Sequence, residues 1–206
     1  MKKISLLMLS TIILTSCSLS PINTPIVNKY TISMKKIKAP VSKERDNIKI
    51  RIAFLPTTAN HPYNNINIYY TTGSYKLNTY SYNIWASLPT NMINQILIER
   101  FNLSDKYIGM EYSQIGNSNI NISSNINNIL QIMNKNKTAT CNLNLTISIN
   151  DTITGKLIST KIFSISQICQ PTVKGMIIAT NNMTNIIVNR VLNWTRTVTT
   201  NFKALK

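Results

Sequence analysis

Acidic side chains are scarce in this sequence: six stand against 22 basic ones in 206 residues, with one His, three Cys and five Gly. A catalytic or metal site needs acids, bases, nucleophiles or ligands that converge. His61 sits alone between Asn60 and Pro62, and of Glu44, Asp46, Glu99, Asp105, Glu111 and Asp151 only the first two are close in the chain. These shortages argue against an enzyme, a bound metal or a cofactor. No glycine-rich phosphate loop occurs either. Long apolar runs are missing too: the stretch from Ile4 to Leu14 is 11 residues, whereas a spanning helix needs about 17 to 25.

What is present at the start is an export signal. Lys2 and Lys3 precede the short apolar stretch, which ends in Leu14-Thr15-Ser16-Cys17. A positive head, an apolar middle and small residues at a cut site define such a leader. The Leu-Thr-Ser-Cys tetrad resembles the bacterial lipobox, in which the thiol receives diacylglycerol before cleavage. The expected division is a signal peptide over 1–16, the lipidated Cys17 with a tether over 17–29, a single domain over 30–200 and a tail over 201–206. Several acyl chains anchor firmly where one is marginal, because each buried methylene contributes about 0.8 kcal/mol. Ser18, in place of an Asp, suggests the outer membrane, so the chain is expected in the cell envelope, lipid-anchored on the periplasmic side.

Loss of Lys2 and Lys3 leaves 20 basic residues against 6 acidic ones, about +14 in the mature chain. That charge favours anionic headgroups, lipopolysaccharide or peptidoglycan; nucleic acid is not expected outside the cytoplasm. Abundant Asn, Ile, Lys, Thr and Ser also fit an AT-rich coding sequence, which raises Lys without any function. Lys35, Lys36, Lys38, Lys43, Arg45, Lys49 and Arg51 cluster in one run, read as a solvated loop.

Hydrophobic periodicity predicts an α+β fold in one domain. Tyr30–Ser33 reads as a short first strand, and Ile48 to Leu55 alternates apolar and basic residues before Pro56, a half-buried strand. Ile66–Tyr70 and Lys76–Tyr80 flank Gly73 as a hairpin. Pro89 opens a helix whose Met92, Ile93, Ile96, Leu97, Arg100 and Phe101 keep the three-and-four spacing of one face, ending near Asn102. The Asn-rich stretch 113–137 is expected to hold a short helix around 124–134. Cys141, Leu143, Leu145, Ile147 and Ile149 alternate with polar residues as a strand, and Thr154-Gly155-Lys156 turns it into a partner from Leu157 to Ile168. Pro171 ends that strand, and Met176, Ala179, Met183, Ile186, Ile187, Arg190, Val191, Trp194 and Val198 line a long final helix. Two main helices on one face of an antiparallel or mixed sheet is the expected layer arrangement.

Cys141 and Cys169 flank the second hairpin. With its turn near Asp151 to Gly155, position 141 would face about position 166, so a bridge needs a bulge or diverging strand ends. The spacing leaves the bridge open.

The order of landmarks resembles the auxiliary lipoprotein component of ABC-type transport systems, the family that accompanies lipid transporters carrying MCE domains. The carriers are Lys29-Tyr30-Thr31-Ile32, the strand ending at Pro56, Ile68-Tyr69-Tyr70, the run Tyr80-x4-Trp85-x3-Pro89 that leads into the first helix, Asp151-Thr152-Ile153-Thr154-Gly155 and a closing helix with Ala179-Thr180-Asn181 and Trp194. Segment 113–137 and Ile108 to Glu111 find no counterpart. The resemblance implies a non-catalytic subunit in lipid trafficking, with an MCE-domain substrate-binding protein and an ABC permease and ATPase as partners, and with lipid contact and self-association left open. Trp85 at a strand-to-helix corner is read as a core plug. Tyr69, Tyr70, Tyr75, Tyr80 and Tyr82 have two readings: they brace the sheet, or they present an amphipathic docking surface.

Overall fold

The computed structural model describes residues 25–34, 49–73 and 75–204. The expected signal peptide, Cys17, most of the expected tether and Lys35 to Arg45 of the basic run lie outside the described residues.

One strand organises the sheet. β7 (Ile120–Met133) pairs along its full length with β8 (Ala139–Asp151), which pairs with β9 (Leu157–Cys169), both antiparallel. On its other side β7 takes three short parallel partners end to end: β2 (Ile50–Phe54) beside Ile120–Ile122, β3 (Thr58–Ala59) beside Asn125–Ile126, and β4 (Asn67–Thr71) beside Gln131–Ile132. The sheet therefore forks. Beyond β2 lies the parallel β6 (Tyr107–Glu111), and beyond β4 lie the antiparallel β5 (Leu77–Trp85) and the parallel β1 (Asn28–Tyr30). A short 3-10 helix, Tyr112–Asn117, links β6 to β7. The result is a curled mixed sheet with α1 (Pro89–Asn102) and α2 (Val173–Ala204) packed on one face.

The strand β7 corrects the expected helix around 124–134. Its inward residues are Ile120, Ile122, Ser124 and Ile126, then Ile129, Gln131 and Met133, opposite Asp151 and every second residue back to Ala139. A bulge between Ile126 and Asn128 inserts one residue and shifts the alternation. The spacing of Ile126, Ile129, Leu130 and Met133 thereby mimics a helical face although the chain is extended.

Three other expectations need adjustment. β1 ends at Tyr30, not Ser33, because β5 runs out at Trp85. Residues 31–33 instead cross α2, where Asn181 accepts from the Ser33 N–H at 2.8 Å and donates to the Thr31 carbonyl at 3.2 Å. On α2, Ile186 is 41% exposed and Arg190 is exposed; the buried stripe runs through Met176, Ala179, Met183, Ile187, Val188, Val191 and Leu192, with Thr180, Thr184, Thr195 and Thr199 sealed beside it. Small Thr side chains let this helix approach the sheet closely, and Thr195 returns its hydroxyl proton to the Val191 carbonyl at 2.9 Å. Finally, α2 continues to Ala204, beyond Val198, the last position of the expected helical face.

The first helix follows its sequence. Pro89 occupies the first turn, where its missing N–H costs nothing. Met92, Ile93, Ile96, Leu97 and Phe101 are buried, and Phe101 meets Phe54 edge-on at 5.0 Å. Arg100 is half-buried and donates from Nε to Asn189 Oδ1 at 2.6 Å, tying α1 to α2. Burial, and then the nearby Arg196 charge, lower its pKa.

Candidate functional site

The five tyrosines divide by environment. Tyr69 is buried, its ring edge-on to Tyr63 at 5.7 Å and its hydroxyl accepting from Asn65 Nδ2 at 2.7 Å. Tyr70 stacks on Tyr80 at 4.5 Å. The Tyr80 hydroxyl donates to Gln131 Oε1, and its pKa is pushed up to about 12 by desolvation and then by Tyr70. These three brace the sheet. Tyr75 and Tyr82 face solvent, at 102% and 55% exposure, so the docking reading rests on them alone.

Gln131 is the residue that sequence reasoning missed. It is fully buried, and its Nε2 donates to the Gln170 carbonyl at 2.8 Å while its Oε1 takes the Tyr80 proton. One amide thus joins β5, β7 and the β9-to-α2 connection. Its only sequence signal was a polar residue on the apolar parity of a strand, and the bulge hid that parity.

Cys141 and Cys169 form a disulfide with Cα atoms 6.5 Å apart. Across the hairpin Cys141 faces Gln167, one position later than an unbroken ladder would give, because the register shifts between Ile149 and Asn150. That shift matters because side chains alternate faces: with position 166 opposite Cys141, Cys169 would point away from it. Asp151 holds the turn. Its Oδ1 accepts the N–H groups of Ile153 and Thr154, both at 2.9 Å, and Gly155 adopts φ +68°.

Trp85 is 1% exposed at the corner between β5 and α1, a core position. Trp194 is half-buried and edge-on to Phe163 at 5.7 Å. His61 is exposed in a loop. Among the described residues no three His, Cys, Asp or Glu side chains gather to hold a metal, and no helix is long and apolar enough to cross a membrane. Among the described residues, one open surface groove is lined by Gln95, Ile98, Glu99, Asn102, Leu103 and Glu111, and another by Thr71, Tyr75, Leu77, Leu130 and Ile132.

No family model matches the sequence, and no curated protein matches it at sequence level. Among solved structures, protein XCC0632 from Xanthomonas campestris, described under the family model DUF330, superposes with a TM-score of 0.70 at 10% identity, over 87% of this chain and 99% of its own. An uncharacterized protein follows at 0.61 and 8% identity, over 83% and 99%. Lipoprotein GNA1162 from Neisseria meningitidis is more distant, with a TM-score of 0.40 at 9% identity over 70% and 99%. The chain therefore shares the fold of the DUF330 structure, and at these identities the likeness is one of fold.

Proposed function

We propose that this chain is an acyl-anchored lipoprotein of the bacterial envelope, held at the outer membrane through Cys17, that serves as a non-catalytic auxiliary subunit of an ABC and MCE-type lipid transport system. The observation that carries the reading is the lipobox tetrad Leu14-Thr15-Ser16-Cys17 at the head of a domain with the ordered landmarks Tyr80, Trp85 and Pro89. The anchor confines the domain to a bilayer surface. There it contacts the transporter's substrate-binding protein or channel, while a separate cytoplasmic subunit hydrolyses ATP.

Two measurements test the reading. Metabolic palmitate labelling tags the wild-type chain and not Cys17→Ser. Affinity purification from solubilised membranes recovers an MCE-domain protein with an ABC permease and ATPase; recovery of none of them under mild detergent overturns the transport role. A second reading, an envelope assembly lipoprotein that binds lipopolysaccharide or peptidoglycan, is favoured by the basic excess. Salt-sensitive binding to those polymers without a transporter partner would select it.

A further inference from the structure

The topology gathers charge of one sign at one end of the molecule. The β4–β5 turn, the β7–β8 turn and the β9-to-α2 connection share that end, because Thr71 pairs with Ile132 and Ala139 with Cys169. They bring Lys76, Lys135, Lys137 and Lys174 there, all exposed, together with the fully exposed Tyr75 and with Ile168 at 74% exposure. The described acids lie elsewhere. Asp151 pairs with Ile120 at the other end of β7, Glu111 is level with Phe54 and Ile122, Glu99 lines a groove with Glu111, and Asp105 pairs with Arg196. A strand as long as β7 separates the two ends by about 40 Å.

The approach of the N-terminal segment agrees with that polarity. β1 is parallel to β5, with Asn28 beside Asn83, and β5 starts at Leu77 in the lysine-bearing end. Followed backward from Asn28, the chain heads towards that end, and Ile26 and Val27 are exposed on the way at 85% and 45%. Cys17 precedes Pro25 by eight residues, a span of at most about 28 Å. A thioether anchor on Cys17 therefore keeps this end near the bilayer.

We infer that the end carrying Tyr75, Lys76, Lys135, Lys137, Ile168 and Lys174 docks onto the anionic headgroup surface of the membrane. The lysines meet lipid phosphates, and the Tyr75 ring and the Ile168 side chain enter the boundary between headgroups and acyl chains, where amphipathic aromatic rings settle. The orientation rests on the lipid-anchor reading, whereas the charge complementarity stands without it. Docked this way, the domain stands on the membrane with β2, β6 and the end of α2 pointing away.

The test uses the mature chain on vesicles of phosphatidylglycerol or of phosphatidylcholine, each with brominated acyl chains, and a Tyr75→Trp variant. The added indole emission is expected to be quenched on phosphatidylglycerol, with quenching relieved as salt rises. Lys135→Ser with Lys174→Ser is expected to weaken docking about thirtyfold, and Lys156→Ser at the far end to leave it unchanged. An unquenched indole on vesicles that hold the acylated chain overturns the docking surface and leaves the anchor standing. Quenching in a chain that palmitate never labels does the reverse. Saturable binding to peptidoglycan with no partition onto either vesicle overturns the docking surface.

Discussion

At Tyr80 a hydroxyl supplies the proton that the fully buried amide oxygen of Gln131 requires. Tyr80→Phe leaves that acceptor short and is expected to cost about 1 to 3 kcal/mol, read by urea denaturation. The same residue sets an alkaline limit. Its folded pKa, about 12, lies above the ordinary value of 10.0, so between these values the unfolded chain has lost a proton that the folded one retains. Stability is intact below about pH 10 and falls as pH rises towards 12. Tyr63 and Tyr107 are shifted the same way, mainly by burial. Thermal melts from pH 9 to 12 should show a shallower fall for Tyr80→Phe. Tyr82 is the opposite kind of residue, exposed and held at φ +58° inside the β4–β5 irregularity. A left-handed backbone costs a bulky residue about 1 to 2 kcal/mol. Tyr82→Gly is expected to raise stability by about 1 kcal/mol, less than that relief because glycine gains freedom in the unfolded chain.

At the scale of elements, the β8–β9 hairpin depends on a one-residue shift beside its turn and on the disulfide that the shift permits. The cysteines are 28 residues apart, and closing such a loop restricts the unfolded chain by about 3 to 4 kcal/mol. Cys169→Ser should lower the urea-unfolding free energy by roughly that amount, and dithiothreitol should lower the wild type to a similar level; unchanged midpoints in both would show that the bridge contributes nothing. Both hairpins, the helix from Pro89 and the final helix were legible in the sequence because a regular period meets a clear stop at each: Gly73, Pro89, Gly155 and Pro171. β7 was not. Its bulge breaks the two-residue period at Ile126, and its outward Asn and Ser side chains have weak strand propensity. They are stabilised by each other across the ladder, as where Asn127 donates to Asn144 and to Thr146 at 2.7 and 2.8 Å, partners that appear only after β8 has paired.

Across the whole molecule, charge works against compactness. The chain carries +16, and Arg196–Asp105, at 3.2 Å with both side chains exposed, is the one ion pair among the described residues. Such a pair contributes about 0 to 1 kcal/mol, so repulsion dominates. Raising ionic strength from about 10 to 150 mM, where the screening length shrinks to about 8 Å, is expected to raise the melting temperature; a fall would mean that unseen attractive pairs outweigh the repulsion. The chain's own residues determined the scarcity of acidic side chains, the α+β class and the helix start at Pro89, because each is local in the chain or set by composition. Only the tertiary structure decided the central place of β7, the face on which Cys169 meets Cys141, the division of the tyrosines into braces and exposed rings, and the gathering of Lys76, Lys135, Lys137 and Lys174. Each of these depends on which strand lies beside which, and that register is chosen by burying Ile and Leu across residues far apart in the chain.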